Sequence, residues 1–178
     1  FMATDAGITT NTEQYRAARD RLVASIGDYA QAVDSFSWPR LTGAFNWATD
    51  WFDVIARSPE RAGQAALWIT EEGGDEQRYT FAEMADRSDQ VATWLRALGV
   101  GKGDRVIVML GNQVELWESM LAVAKLGAVV MPTTGALGSA DLADRITRGG
   151  AGFVVTNAAD ADKFASVDGQ YVGIVVGD

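Results

Sequence analysis

The alternation of apolar and polar positions is least interrupted between Asp104 and Pro132. Arg105 opens an apolar run that lasts to Leu110, Gly111-Asn112 breaks it, Val114 to Leu126 returns at helical spacing, and Ala128 to Met131 follows Gly127 as a second run. Two strands without polar alternation, joined by a helix, predict a right-handed βαβ crossover in a parallel sheet covered on both faces. Within the helix the spacing places Val114, Trp117, Met120, Leu121 and Ala124 on one face. Leu116, Ala122 and Val123 keep the other side mostly apolar, which leaves Glu115, Glu118, Ser119 and Lys125 to meet water. Gly127 is placed to cap the helix in the left-handed conformation, and Pro132 ends the second strand where a missing N–H matters least.

On the N-terminal side, residues 1 to 9 are small and polar and read as a frayed lead. Thr10 and Glu13 form a capping box for a helix expected to reach about Val33, with Tyr15, Leu22, Ile26, Tyr29 and Val33 as a thin apolar stripe. Ser35 to Phe45 is too aromatic for a free linker and too irregular for a strand. Asn46 is placed to cap a helix from Trp47 to about Arg57, with Trp47, Trp51, Val54 and Ile55 inward. Ala65 to Thr70 and Gln77 to Phe81 flank a polar, glycine-bearing stretch and predict a hairpin. Thr80 and Glu83 form a second capping box, and Phe81, Met84, Ala85, Val91, Ala92, Leu95 and Leu98 hold helical spacing up to Gly99.

Beyond the central unit, Thr133 to Gly138 is a loop and Ser139 a candidate N-cap. Asp141 with Arg145, and Asp144 with Arg148, are acid-before-base pairs four apart, and Gly149-Gly150 stops that helix. Phe153 to Thr156 reads as a third strand, Ala159 to Phe164 as a short acidic helix, and Tyr171 to Val176 as a fourth strand. The fold class is therefore α/β: an incomplete parallel sheet of βαβ units with covering helices, preceded by an N-terminal helical arm and a β-hairpin. Residues 1–44 form the arm and its connector, and 45–178 a partial α/β domain. The last strand has little polar alternation, and Val172, Ile174, Val175 and Val176 there predict self-association through that strand, covering by the chain's own N-terminal arm, or fraying.

Composition narrows the chemistry. A net charge of -9, with 15 Lys and Arg, argues against nucleic acid and anionic membrane as main partners. The absence of Cys and His removes thiolate sites, the commonest general base and the commonest zinc ligand, so no catalytic residue and no metal ligand is assigned. Lys125 interrupts the longest apolar stretch short of a membrane span, no secretion signal is evident, and the expected location is cytoplasmic. Gly99, Gly101 and Gly103 follow a helix and open a strand, the reverse of a dinucleotide fingerprint, so they read as cap and turn. Thr133 to Ser139 instead joins a strand's carboxyl end to a helix N-terminus, where backbone N–H groups attract anions. Trp47, Trp51, Trp94 and Trp117 read as packing residues, and Glu71, Glu72, Asp75 and Glu76 as a solvated loop.

Taken in order, YTFAEM, LGVGKGDRV, KLGAVVMPT and ADLADRI, within a block from about Phe45 onward, resemble the beginning of an AMP-forming acyl-CoA synthetase, nearest its medium-chain and aryl-acid branch. The resemblance implies an enzyme that activates a carboxylic acid with ATP to an acyl-adenylate and then forms acyl-CoA, using ATP, CoA and Mg2+. It also implies that the phosphate loop, the ribose-binding Asp and the catalytic Lys of the family lie beyond Asp178, so the chain alone is expected to be inactive and to bind none of these cofactors tightly. Trp68-Ile69-Thr70-Glu71 and Thr133-Thr134-Gly135 are local look-alikes of family motifs in the wrong context. The resemblance points to Thr134, Gly135 and Ala136 as a CoA-facing loop, with Ala136 standing where relatives carry a second glycine. The alternative is a non-catalytic α/β module that binds a nucleotide or a protein through residues 133–139.

Overall fold

The computed structural model describes residues 10–177. The expectation for residues 1 to 9 lies outside them. The chain divides into two compact units, Phe1–Phe45 and Asn46–Asp178.

In the first unit, α1 spans Asn11–Ala24 and α2 spans Tyr29–Ser35. The capping box forms at α1: Glu13 N donates to Thr10 Oγ1 at 3.2 Å and Thr10 N donates to Glu13 Oε2 at 2.8 Å. The single helix expected to Val33 is broken. Gly27 adopts φ +102°, a left-handed conformation that only glycine enters cheaply, and Asp28 caps a new helix by accepting from Gln31 N at 2.9 Å. Ordering after α2 comes from aromatic stacking. Tyr15 lies between Trp38 and Phe45, with ring centroids 4.8 and 5.7 Å away, and Asn11 Nδ2 donates to Thr42 O at 2.8 Å.

The second unit begins with Asn46, which serves two helices at once. Its Oδ1 accepts from Ala48 N at 2.9 Å, while its Nδ2 donates to Ala124 O at 2.8 Å and Lys125 O at 3.2 Å. These are carbonyls at a helix C-terminus that lack partners within their own helix. Trp47–Phe52 winds as a π-helix and continues into α3, Asp53–Ala56. The wider turn changes which residues face inward: Ala48 and Ala56 are buried, while Trp47 and Val54, expected inside, are exposed.

The hairpin forms as expected, from β1 (Ala65–Thr70) and β2 (Glu76–Thr80), and α4 (Phe81–Ala97) follows with its Thr80–Glu83 capping box. Then come β3 (Arg105–Met109), α5 (Val114–Lys125), β4 (Val129–Pro132), α6 (Ser139–Gly149), β5 (Phe153–Asn157), α7 (Ala158–Ala161) and β6 (Val172–Val176), with a 3-10 turn at Asp162–Phe164. The four strands β3 to β6 are parallel and ordered β4-β3-β5-β6. β3 alternates between two cores. Val106 and Val108 pack with Ala92, Leu95, Ala122 and Val123 of α4 and α5, whereas Ile107 and Met109 pack with Leu142 and Ile146 of α6. Both faces of the sheet are thus covered. The step from β3 to β4 and the step from β4 to β5 run in opposite directions across the sheet, so helices on opposite faces are what a single crossover hand requires. Gly99 and Gly103 take φ of +101° and +88°, as cap and turn residues.

The faces of α5 differ from the sequence expectation. Glu118 and Ser119 are buried, and the Lys125 side chain is only 5% exposed, whereas Trp117 is exposed. α4 and α5 pack directly on one another, and the residues they bury there are mostly small: Ala85, Ser88 and Ala92 on one helix, Ser119 and Ala122 on the other. The charges are buried in partnership. Glu118 pairs with Arg87, whose guanidinium lies 5.3 Å from the Tyr79 ring centroid. Lys125 Nζ reaches Asp89 Oδ1 at 2.7 Å, Asp53 Oδ1 at 2.9 Å and Ala85 O at 3.1 Å, joining α3, α4 and α5. Burial pushes the Asp53 carboxyl above its ordinary range and outweighs the opposing pull of Lys125.

The tryptophans expected as packing residues are largely surface groups: Trp47, Trp94 and Trp117 are exposed. The last strand exposes less than its composition suggested, because β6 buries Ile174 and leaves Val172 and Val175 as its exposed large side chains. No helix among the described residues is long and apolar enough to cross a membrane.

Candidate functional site

The loop from Thr133 to Gly138 leaves the carboxyl end of β4 and opens α6. Thr133 N donates to Val108 O at 2.9 Å, extending the ladder by one residue and burying Thr133. The chain then turns tightly: Thr134 Oγ1 accepts from Ala136 N at 3.2 Å, and Leu137 N donates to Thr134 O at 3.3 Å. Gly138, not Ser139, is the N-cap, and it offers no side chain to the first N–H groups of α6. Ser139 instead donates its hydroxyl to Lys163 O at 2.7 Å. The helix therefore starts with N–H groups that no capping side chain satisfies, next to a loop that exposes Thr134 and Ala136.

The structure adds residues that sequence reading passed over. Lys163 Nζ donates to Gly135 O and pairs with Asp160 Oδ1 at 2.6 Å. A Cβ on Gly135 would stand 3.0 Å from Asp160 Oδ2, a tight contact with the end of a flexible side chain, so a larger residue here would displace that carboxylate. The signal available in the sequence was an acid and a base three apart, at Asp160 and Lys163, inside what reads as a generic acidic helix. What the sequence does not show is that this turn folds back on residues 25 to 28 positions earlier in the chain. Thr134, Gly135 and Ala136 are brought together by the turn, and Lys163 stands beside them.

Chemically, this is an uncapped helix N-terminus beside a lysine whose charge Asp160 balances. It suits an anionic group such as a phosphate and supplies no nucleophile or general base. The acid-before-base pairs on α6 resolve differently from each other. Arg148 pairs with Asp144 at 3.2 Å, whereas Arg145 has no ion pair among the described residues and its Nε is buried without a hydrogen-bond acceptor. Among the described residues no group of three or more Asp or Glu converges as a metal site.

A family model described as AMP-binding enzyme matches residues 55–176. The chain belongs to the AMP-binding enzyme family. Acetyl-coenzyme A synthetase of Bacillus subtilis (strain 168) is 37% identical over 141 residues, covering 74% of this chain and 24% of that protein. The mitochondrial acyl-coenzyme A synthetase ACSM2 of Rattus norvegicus is 37% identical over 107 residues, 57% of this chain and 18% of its own length. Among solved structures, the Brucella canis acyl-CoA synthetase superposes with a TM-score of 0.69 at 25% identity, over 88% of this chain and 28% of that one. The chain thus spans about a quarter or less of the curated relatives it matches. Relatives named for acetyl and for acyl substrates both appear.

Proposed function

We propose that this AMP-binding family chain is the N-terminal part of an acid–CoA ligase. In the intact enzyme a carboxylic acid, of the medium-chain fatty or aryl class, is activated with ATP to an acyl-adenylate and transferred to the CoA thiol. The observation that carries this reading is the family match over residues 55–176, which includes the 133–139 loop. In this proposal Thr134, Gly135 and Ala136 face CoA, and the chain divides into an arm at 1–44 and a partial domain at 45–178.

CoA supplies the acceptor thiol and brings phosphates, which an uncapped helix N-terminus suits. The chain's own residues here bind and orient. The open N–H groups of α6 and the Lys163 ammonium would hold a phosphate, while Gly135 keeps the loop low enough to admit it. Asp160 opposes the anion but fixes Lys163, so the balance favours binding only when the helix terminus contributes. No step is assigned to a magnesium ion or to the triphosphate. In this proposal the chain on its own is inactive.

Two measurements test the reading. In the enzyme that carries this segment, Gly135→Val raises the KM for CoA by about tenfold, roughly the loss of one charge-assisted contact, and leaves acid-dependent ATP–pyrophosphate exchange unchanged. A parallel loss of exchange would place the loop elsewhere in the reaction. The purified 178-residue chain is expected to release no pyrophosphate from ATP with any fatty or aromatic acid, and acid-dependent release would overturn its inactivity. Self-association through β6 also belongs to this reading, supported by its edge position and by exposed Val172 and Val175. Replacing both valines with Thr should then raise the dimer dissociation constant.

A further inference from the structure

The 3-10 turn at Asp162–Phe164 meets the candidate loop twice, both times through one residue. Lys163 Nζ donates to Gly135 O near the start of the loop, and Lys163 O accepts from the Ser139 hydroxyl at 2.7 Å, just past its end. Among the described residues the other polar contacts of Thr134 to Leu137 lie within the turn itself, between Thr134 and the N–H groups of Ala136 and Leu137. Leu137 rests against the core that holds Ile107, Leu142 and Phe164, while Thr134 and Ala136 are exposed. A turn with so few contacts of its own opens easily unless something outside it holds its shape.

The element that carries Lys163 is better anchored than the loop. Phe164 is buried in the core that α6 covers, its carbonyl accepts from the Tyr171 hydroxyl at 3.0 Å, and the two rings lie 6.2 Å apart. The backbone of Lys163 is thus fixed by its neighbour, and its ammonium is fixed by Asp160 Oδ1 at 2.6 Å. A lysine ammonium offers three N–H donors. Gly135 O and Asp160 take two, which leaves one to meet an anion without releasing the loop. Loss of the side chain would strip the Gly135 carbonyl of its charged donor, whereas loss of the Ser139 hydroxyl would loosen the far end with every charge kept.

We infer that Lys163 is a positioning residue, clamping the 134–138 loop at both ends so that Gly135 and Ala136 are held in the shape that receives CoA. The inference rests on the CoA-facing reading of this loop, and it gives Lys163 a role that does not require its charge to touch the phosphate.

In the enzyme that carries this segment, peptide-resolved amide exchange measured without CoA should quicken at residues 134–138 by about tenfold or more in Lys163→Met, the effect of losing one hydrogen bond to a charged group, with β3 unchanged. The KM for CoA should rise by about tenfold in the same variant. Lys163→Arg, which keeps the charge and the donors, should restore most of both. Ser139→Ala should move both in the same direction by about threefold, the loss of one neutral hydrogen bond, a change that a direct phosphate contact alone cannot produce because no charge is removed. Unchanged loop exchange in Lys163→Met overturns the inference. So does a KM that rises in Lys163→Met and stays at its original value in Ser139→Ala. If Gly135→Val leaves the KM for CoA unchanged while loop exchange still quickens in Lys163→Met, the clamp stands and the CoA reading fails.

Discussion

Two helices of this protein start identically and end up in different circumstances. α1 and α4 each open with a Thr and Glu three apart, each forms the full capping box, and each has a Glu carboxyl held below its ordinary range by Thr backbone and hydroxyl donors. Yet α4 buries Met84, Ala85, Ser88, Ala92 and Leu95, while α1 buries Ala18 alone. Local chemistry fixes where a helix begins. Whether the helix is a structural member depends on a partner for its apolar face, and that is a property of the sheet that α4 covers.

The contrast predicts unequal sensitivity to truncation. Leu95→Ala removes a side chain that is 1% exposed in the core shared by β3 and α5, and should lower stability by about 2–5 kcal/mol in urea titration. Val33→Ala in the arm, under conditions where the chain is monomeric, should change it by less than about 0.5 kcal/mol. Equal effects would mean that the arm face is covered within one chain.

A smaller effect is expected at Lys125, the charge that joins three helices. Lys125→Met leaves the largely buried Asp53 carboxylate and the half-exposed Asp89 carboxylate without their shared cation. A fully buried pair loses ~3–5 kcal/mol when broken, and half-exposed Asp89 reduces the expectation to roughly 2–3 kcal/mol. Adding Asp53→Leu should recover part of the loss, because the carboxyl that burial already penalises is then gone. If the double variant is worse than the single one, Asp53 has a role beyond pairing with Lys125.

These sites also show which features of the fold were legible. The β3–α5–β4 unit could be read because its strands are apolar on both faces, a pattern that only a doubly covered parallel sheet explains. The inward face of α5 could not be. Apolar periodicity ranks Trp117 as a core residue, but α5 buries Ser119 and Ala122 instead, and Glu118 is buried in a pair with Arg87. The same limit applies at the candidate site. Loop position pointed to Thr134, Gly135 and Ala136, while Lys163 and Asp160 reach Gly135 only through the fold-back after β5. Gly27 was visible as a residue but not as a break, since glycine inside a helical pattern is compatible with either outcome.

Removing the caps should produce a still smaller difference between the two helices. Thr80→Ala should destabilise the global transition by about 1 kcal/mol, because α4 unfolds together with the core it covers. Thr10→Ala should leave that transition in place and speed amide exchange only within Asn11–Ala24. A shift of the global midpoint by Thr10→Ala would join the fate of the two units.

The smallest expected effect is on pH dependence, where the same caps act through their carboxylates. Glu83 accepts from Thr80 N at 2.7 Å and from Thr80 Oγ1 at 2.9 Å, and its folded-state pKa lies below the ordinary 4.5. In the window between the two values the unfolded chain binds more protons than the native one, so stability rises with pH there. The contribution is fully present above about 4.5 and is lost as pH falls through the lowered folded value. Asp53 acts in the opposite sense. Burial raises its folded pKa above 3.8, so the native state binds the extra proton and stability falls as pH rises through that interval. The two contributions oppose each other on the acid limb. Glu83→Gln should therefore remove rising slope from the urea midpoint measured between about pH 3 and pH 6, whereas Asp53→Asn should steepen it. Glu13→Gln should leave the global slope unchanged and flatten only the pH dependence of amide exchange in α1. A change in the global slope on Glu13→Gln would show that the arm's helix unfolds with the α/β unit, and the contrast between the two caps would then be one of burial alone, not of cooperativity.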